Sequence, residues 1–113
     1  MDASFLNAEL QGAIFTEAQL QNVSFWGAKL EKIEFYVTHL ENAKFWDTEL
    51  KDAKFTLAYL EKADFKTAIN INYVSFINNS WNILTNFEST DFANKTTEEL
   101  TKIMGKAPTP LSE

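Results

Sequence analysis

The stretch Phe25-Trp26-Gly27-Ala28-Lys29-Leu30-Glu31-Lys32-Ile33-Glu34-Phe35-Tyr36-Val37-Thr38-His39-Leu40 puts a large apolar residue at every fifth position, Phe alternating with Leu. Outward from it, the same step runs through Phe5, Leu10, Phe15 and Leu20 on one side and Phe45, Leu50, Phe55, Leu60 and Phe65 on the other. None of the thirteen positions breaks the alternation. Two residues before each sits a compact side chain: Ala3, Ala8, Ala13, Ala18, Ala28, Ala43, Ala53, Ala58 and Ala63, with Val23, Ile33, Thr38 and Thr48 at the remaining places.

A period of five suits neither regular element. On an α-helix, residues five apart lie about 140° apart, which would wind the Phe/Leu series round the whole surface. On a plain strand, odd steps would throw alternate members to opposite faces. A chain that turns a corner every five residues fits instead. Each corner then puts one large and one small residue inside and leaves three outside.

The pattern Ala-x-Phe/Leu-x-x resembles the pentapeptide-repeat family, whose signature is Ala-Asp/Asn-Leu-x-x, over a little more than half of the chain. The sequence departs from it before the central residue, where Asp stands only at Asp64 while Ser4, Glu9, Ile14, Gln19 and others fill the rest. That position faces outward, so the fold reading survives. The resemblance implies an all-β fold: a right-handed quadrilateral β-helix, a β-solenoid with four pentapeptides and hence 20 residues per coil. Residues one coil apart would then stack about 4.8 Å apart, the usual strand spacing. Phe5, Phe25, Phe45 and Phe65 would form one interior column and Phe15, Phe35 and Phe55 another, with Leu10, Leu30, Leu50 and Leu20, Leu40, Leu60 between them.

Regular coils are expected over residues 1–68. After Ala68 the register slips: Ile71, Phe76 and Trp81 keep the step one residue out of phase, and a second slip leads to Phe87 and Phe92. Residues 69–95 read as degenerate terminal coil with one-residue insertions, or as loop packed over the shaft. A short capping helix is expected over 96–105, with Thr96 and Glu99 as a capping box, Leu100, Ile103 and Met104 as an apolar stripe and Gly105 as the stop. Solenoids need such caps because end coils expose core and strand edges. The remainder, 106–113, reads as a disordered tail or linker. No cap precedes Phe5, so either the first coil stacks on another molecule or Met1 opens a fragment of something longer.

Composition narrows the function. The chain has 113 residues, a net charge of −6 and no Cys, so disulfides, thiolate metal sites and cysteine nucleophiles are out. All ten basic residues are Lys, and direct nucleic-acid binding without Arg in an acidic chain is not expected. No basic, apolar leader and no run of 18 apolar residues occurs, so neither a secretory signal nor a membrane span is expected and a cytoplasmic, bacterial setting is the default. The one His, His39, lies outward between Gln19 and Tyr59 in the repeat frame, with no Ser or carboxylate forced against it. Dispersed carboxylates and three Gly give no metal-ligand spacing and no phosphate-cradling loop. No enzyme, no cofactor, no metal and no small-molecule substrate is expected.

The outward positions single out one edge. Glu9, Lys29, Glu49 and Gln11, Glu31, Lys51 form ladders of alternating sign, as expected of a solvated structural face. After the Phe5 column, however, come Leu6, Trp26, Trp46 and Lys66, so two Trp are expected to stack on the surface above Leu6. Trp is enriched at binding hot spots. The opposite face carries a weaker cluster, Ile14, Tyr36, Val37 and Leu57. Leu6, Trp26, Trp46 and Tyr36 are therefore the candidate partner-binding residues. The bland alternative is that the indoles only reinforce the sheet, or that the chain beyond Ile71 folds over them.

A non-catalytic scaffold or protein-interaction module, binding a protein partner or a second copy of itself, is the function expected. The alternative is a DNA-mimicking inhibitor or protector of topoisomerase (gyrase), a role the family contains. Residues 2–66 carry 11 acids and 7 lysines, a net of −4, and their signs interleave rather than gather.

Overall fold

The computed structural model describes residues 3–111. It is a right-handed quadrilateral β-helix closed by one helix. On one side of the shaft, four short strands form a parallel sheet in the order β1 (Ile14–Thr16), β2 (Glu34–Tyr36), β3 (Lys54–Thr56) and β4 (Ser75–Ile77). The register is Phe15 on Phe35, Phe35 on Phe55 and Phe55 on Phe76. The other three sides pair through parallel bridges that climb Ser4-Ser24-Lys44-Asp64-Asn86, Glu9-Lys29-Glu49-Ile69 and Gln19-His39-Tyr59-Ser80.

The corner explains the five-residue period. In every repeat the second residue after the central Phe or Leu is left-handed, from Asn7 (φ 54°) through Val37 (φ 51°) to Thr67 (φ 61°). On three sides the residue after that donates its amide back to the central carbonyl, as in Ala28 to Phe25 (2.9 Å) and Ala53 to Leu50 (2.9 Å). A left-handed third residue with this bond is the geometry of a type II turn. On the strand side the corner is more open, and side chains complete the bonding. There the Thr38 hydroxyl donates to the Phe15 carbonyl (3.0 Å), and the Ala58 amide donates to Asn79 Oδ1 (2.9 Å). Gly27 suits its left-handed corner (φ 71°), and a Cβ there would displace only the end of the Asn7 side chain.

Inside, the Phe/Leu alternation becomes two aromatic and two aliphatic columns. Rings stack along each Phe column, for example Phe45 on Phe65 at 4.7 Å and 5°. Between columns they meet edge to face, as Phe45 and Phe55 do at 5.7 Å and 78°. Both arrangements suit the ring quadrupole and add about 0.5–1.5 kcal/mol per pair beyond area burial. From Phe25 to Phe65 every central residue is fully buried, whereas Phe5, Leu10, Phe15 and Leu20 in the first coil are only partly covered.

Two insertions shape the other end. Left-handed Asn70 and the 3-10 turn Ile71–Tyr73 absorb one extra residue, after which β4 pairs with β3 at an offset of 21. Ile71 continues the Leu50 column, and Trp81, wholly buried, continues the Leu60 column. A second extra residue, around Asn82–Thr85, raises the offset to 22 at Asp64↔Asn86 and sets Phe87 on Phe65 (5.3 Å). Phe92 then tilts over Phe76 at 6.2 Å. Residues 69–92 are thus coil rather than loose loop.

Helix α1 (Thr97–Met104) starts at a capping box formed reciprocally by Thr96 and Glu99. Met104 is buried and its carbonyl accepts from the Asn79 amide (2.9 Å), which ties the helix to the coil beneath. Gly105 stops it in the left-handed region (φ 79°), where a Cβ would lie 2.9 Å from the Asn78 nitrogen. Beyond the helix the structure departs from the expected disordered tail. Trp81 Nε1 donates to the Lys106 carbonyl (2.7 Å), Thr109 donates its amide to the Trp81 carbonyl (2.6 Å), and its hydroxyl donates to Glu61 (2.9 Å). Residues 106–109 are held because Trp81 offers both a donor and an acceptor at the end of the shaft. Residues 112 and 113 of that tail lie outside the described residues.

Truncation should therefore cost more in the middle than at the open end. Phe45→Ala is expected to lose about 3–5 kcal/mol and Phe5→Ala less than about 2 kcal/mol, read from urea denaturation. Val37 is β-branched and left-handed, so Val37→Asn should raise stability by about 1 kcal/mol in the same measurement.

Candidate functional site

The Trp edge lies on the side of the shaft built on Phe5, Phe25, Phe45, Phe65 and Phe87. Here each residue following the central Phe projects outward, giving the series Leu6, Trp26, Trp46, Lys66 and Glu88. Leu6 is 58% exposed and Trp26 48% exposed, while Trp46 is half-buried. The two indoles do not stack as expected. They meet edge to face, with centroids 5.7 Å apart and planes at 83°. The reason is a hydrogen bond: Trp26 Nε1 donates to Asp47 Oδ2 (3.1 Å), one coil along, which turns the ring away from a parallel stack. Lys44 Nζ sits 5.8 Å from the centroid of the Trp46 ring, within cation–π reach. The chain beyond Ile71 leaves Trp26 half exposed: Asn86 and Glu88 reach the rim of its groove, and residues 106–109 lie against Trp81 and Glu61 instead.

A groove of about 420 Å³ opens beside the pair, lined by Trp26, Trp46, Asp47, Asp64, Lys66, Thr67, Asn86 and Glu88. Its carboxylates were not singled out by the sequence. Asp47 follows Trp46 and is left-handed, and the turn swings it beside the Trp26 indole. Glu88 joins the Trp column because of the second insertion, which the six-residue step from Trp81 to Phe87 registers. The Thr67 hydroxyl and the Trp26 indole hold the Asp47 carboxyl below the usual carboxylate range, against a smaller opposing effect of burial. Asp64 Oδ1 accepts from the Lys66 amide and from Asn86 Nδ2, both at 3.0 Å.

Tyr36 lies elsewhere, on the sheet side at the end of β2, and is 47% exposed. Ile14, Leu57 and Ile77 are exposed on that same side, so the weaker cluster extends further along the shaft than spacing suggested. The structure thus brings Leu6, Trp26 and Trp46 to one face and leaves Tyr36 on another.

His39 does stack on Tyr59, ring on ring at 4.2 Å and 2°. A carboxylate accompanies it, contrary to expectation: Glu41 Oε2 lies 3.2 Å from His39 Nδ1. Residues two apart across a tight corner both face outward, which is how the pair forms. No group of three potential metal ligands occurs among the described residues, and no helix there is long and apolar enough to cross a membrane.

Residues 1–76 match the sequence profile of the pentapeptide repeat region. The chain belongs to the pentapeptide-repeat family. Among solved structures it is similar to a pentapeptide-repeat protein from the Arabidopsis thaliana thylakoid lumen, with 24% identity, a TM-score of 0.68, and coverage of 93% of this chain and 69% of that one. It is also similar to HetL, a pentapeptide-repeat protein involved in heterocyst differentiation regulation in the cyanobacterium Nostoc sp. strain PCC 7120, with 18% identity and a TM-score of 0.52. That match covers 73% of this chain and 35% of HetL, so the chain spans about a third of HetL's length. No functionally curated protein matches. At these identities the pentapeptide-repeat neighbours share the fold.

The Asp47 link has a measurable sign. Because its carboxyl is held low in the folded state, its contribution is fully present above the ordinary Asp value and is lost as pH falls through the lower folded one. The Trp26 indole N–H resonance should follow that titration with a midpoint below the ordinary Asp range, and should stop moving in Asp47→Asn.

Proposed function

We propose that this pentapeptide-repeat chain is a non-catalytic scaffold that binds a protein partner, or a second copy of itself, through the Leu6-Trp26-Trp46 edge. The observation that carries this reading is Trp26, a large aromatic left half exposed beside a second indole and an open groove. Aromatics of this kind dominate binding energy where they are desolvated by a partner. Tyr36 with Ile14, Leu57 and Ile77 supplies a second, flatter contact surface on the sheet side.

The shaft interior is filled by side chains, and a further groove of about 430 Å³ is lined by Glu41 and Glu61 without His39. The gyrase-directed alternative is less well supported. Imitating a duplex needs one sign of charge spread along a rod, whereas Glu9-Lys29-Glu49 climbs the face with alternating sign.

Affinity capture with mass spectrometry should compare the wild type with Trp26→Ala/Trp46→Ala, alongside light scattering of both. The expected result is an unchanged fold by circular dichroism with loss of the captured protein or of the dimer. An identical captured set and identical mass would overturn the reading.

A further inference from the structure

Resting on the reading of the Trp edge as the binding surface, we propose that its groove takes an extended basic segment of a protein partner, seating Lys or Arg side chains against the indoles and carboxylates. Three features of the groove point to a cation. Its walls include two indoles whose planes stand at 83°, a corner that offers one ring face and one ring edge. Ring faces attract ammonium and guanidinium groups, and the chain already uses this on Trp46 through Lys44.

Second, three carboxylates, Asp47, Asp64 and Glu88, share the lining with a single ammonium, Lys66. Third, none of them forms an ion pair. Among the described residues the salt bridge is His39 with Glu41, on the preceding side of the coil. Asp47 accepts from the neutral Trp26 indole, and Asp64 accepts through Oδ1 from a backbone amide and an Asn side chain. Carboxylates satisfied by neutral donors keep their charge available to an incoming cation.

The direction of the groove fits an extended chain. It climbs from the Trp26 coil to the Glu88 coil, three steps of about 4.8 Å each, or the length of about four extended residues. An extended segment shows every second side chain to one face, so alternating basic residues would reach the indole corner and the Asp64–Glu88 end together. Lys44 and Lys66 oppose this ligand. Lys66 lies within the groove, between Trp46 and Glu88 in the outward column, and competes for the same carboxylates.

The test is fluorescence anisotropy with a labelled nonapeptide of alternating Lys and Ser, compared with its fully acetylated form, a Glu-for-Lys form and soluble cellohexaose as competitor. The wild type should bind the lysine peptide about tenfold or more tighter than the acetylated one, with affinity falling as salt rises. Asp47→Asn/Asp64→Asn/Glu88→Gln should lose about tenfold, and Lys66→Ala should bind more tightly, a gain that a purely structural role for these residues would not produce. Circular dichroism melts confirm that each variant is folded. Equal binding of the lysine and acetylated peptides, no binding of either, or displacement by cellohexaose would overturn the basic-ligand assignment. Loss of protein capture by the double Trp variant, alongside such a result, would leave the interaction surface standing with a partner of other chemistry. Retained capture would instead remove the surface itself.

Discussion

Each corner of this protein adopts a backbone conformation that is unfavourable on its own. Thirteen consecutive repeats place a left-handed residue at the corner, with φ between 51° and 73°, and only Gly12 and Gly27 of them are glycine. The left-handed region costs an ordinary residue about 1–2 kcal/mol. What offsets it is the neighbouring coil. The left-handed residue donates its amide one coil along, as Asn7 does to Trp26 (2.8 Å), Val37 to Thr56 (3.0 Å) and Leu57 to Ile77 (2.9 Å). A corner is therefore stable only when another coil stands beside it, which makes the shaft cooperative along its axis.

That dependence accounts for both ends. In the first coil Phe5, Leu10, Phe15 and Leu20 each keep part of their surface exposed, because stacking covers them from one side. At the other end the step of five is sacrificed to make a lid. Beyond the two inserted residues, Trp81, the largest of the buried side chains, and Phe92 occupy places that a regular repeat would give to Leu. Helix α1 then sits over β4, with Met104 buried and Gly105 close against Asn78. The 106–109 strap follows from the same substitution, since Trp81 brings an indole N–H that must find an acceptor when buried.

Much of this was legible because it repeats. The Phe5-to-Phe65 alternation marks the corner residues and the two kinds of interior side chain, the family resemblance adds the 20-residue coil that sorts them into columns and ladders, and Thr96 with Glu99 marks the helix start through local hydrogen bonding alone. What spacing does not carry is the conformation of single side chains. Trp26 and Trp46 are correctly placed one above the other, yet their edge-to-face packing depends on where the Asp47 carboxylate points. Glu88 was missed for a different reason: the slip between Trp81 and Phe87 shows in the spacing, but the outward column was not followed past it to the place over Lys66. His39 with Glu41 is a third kind of miss, a local pair two residues apart that folding by coils does not bring into view.

A solid shaft leaves function to the outside. Interior positions must keep size and shape, whereas two or three outward positions per repeat can change without disturbing a column. The thylakoid-lumen protein and HetL share this chain's fold at 24% and 18% identity, which is what interior constraint with free exterior would produce. On this chain most outward ladders are filled as pairing alone would fill them, with Glu, Lys, Gln and Ser. The Trp face is the exception in two respects at once. It gathers apolar surface that pairing does not need, and it gathers carboxylates that no lysine of the chain neutralises within ion-pair distance among the described residues. Either feature alone has a structural explanation in a solenoid, the first as sheet reinforcement and the second as a solvated rim. Their overlap in one groove is the property on which the proposed basic segment rests.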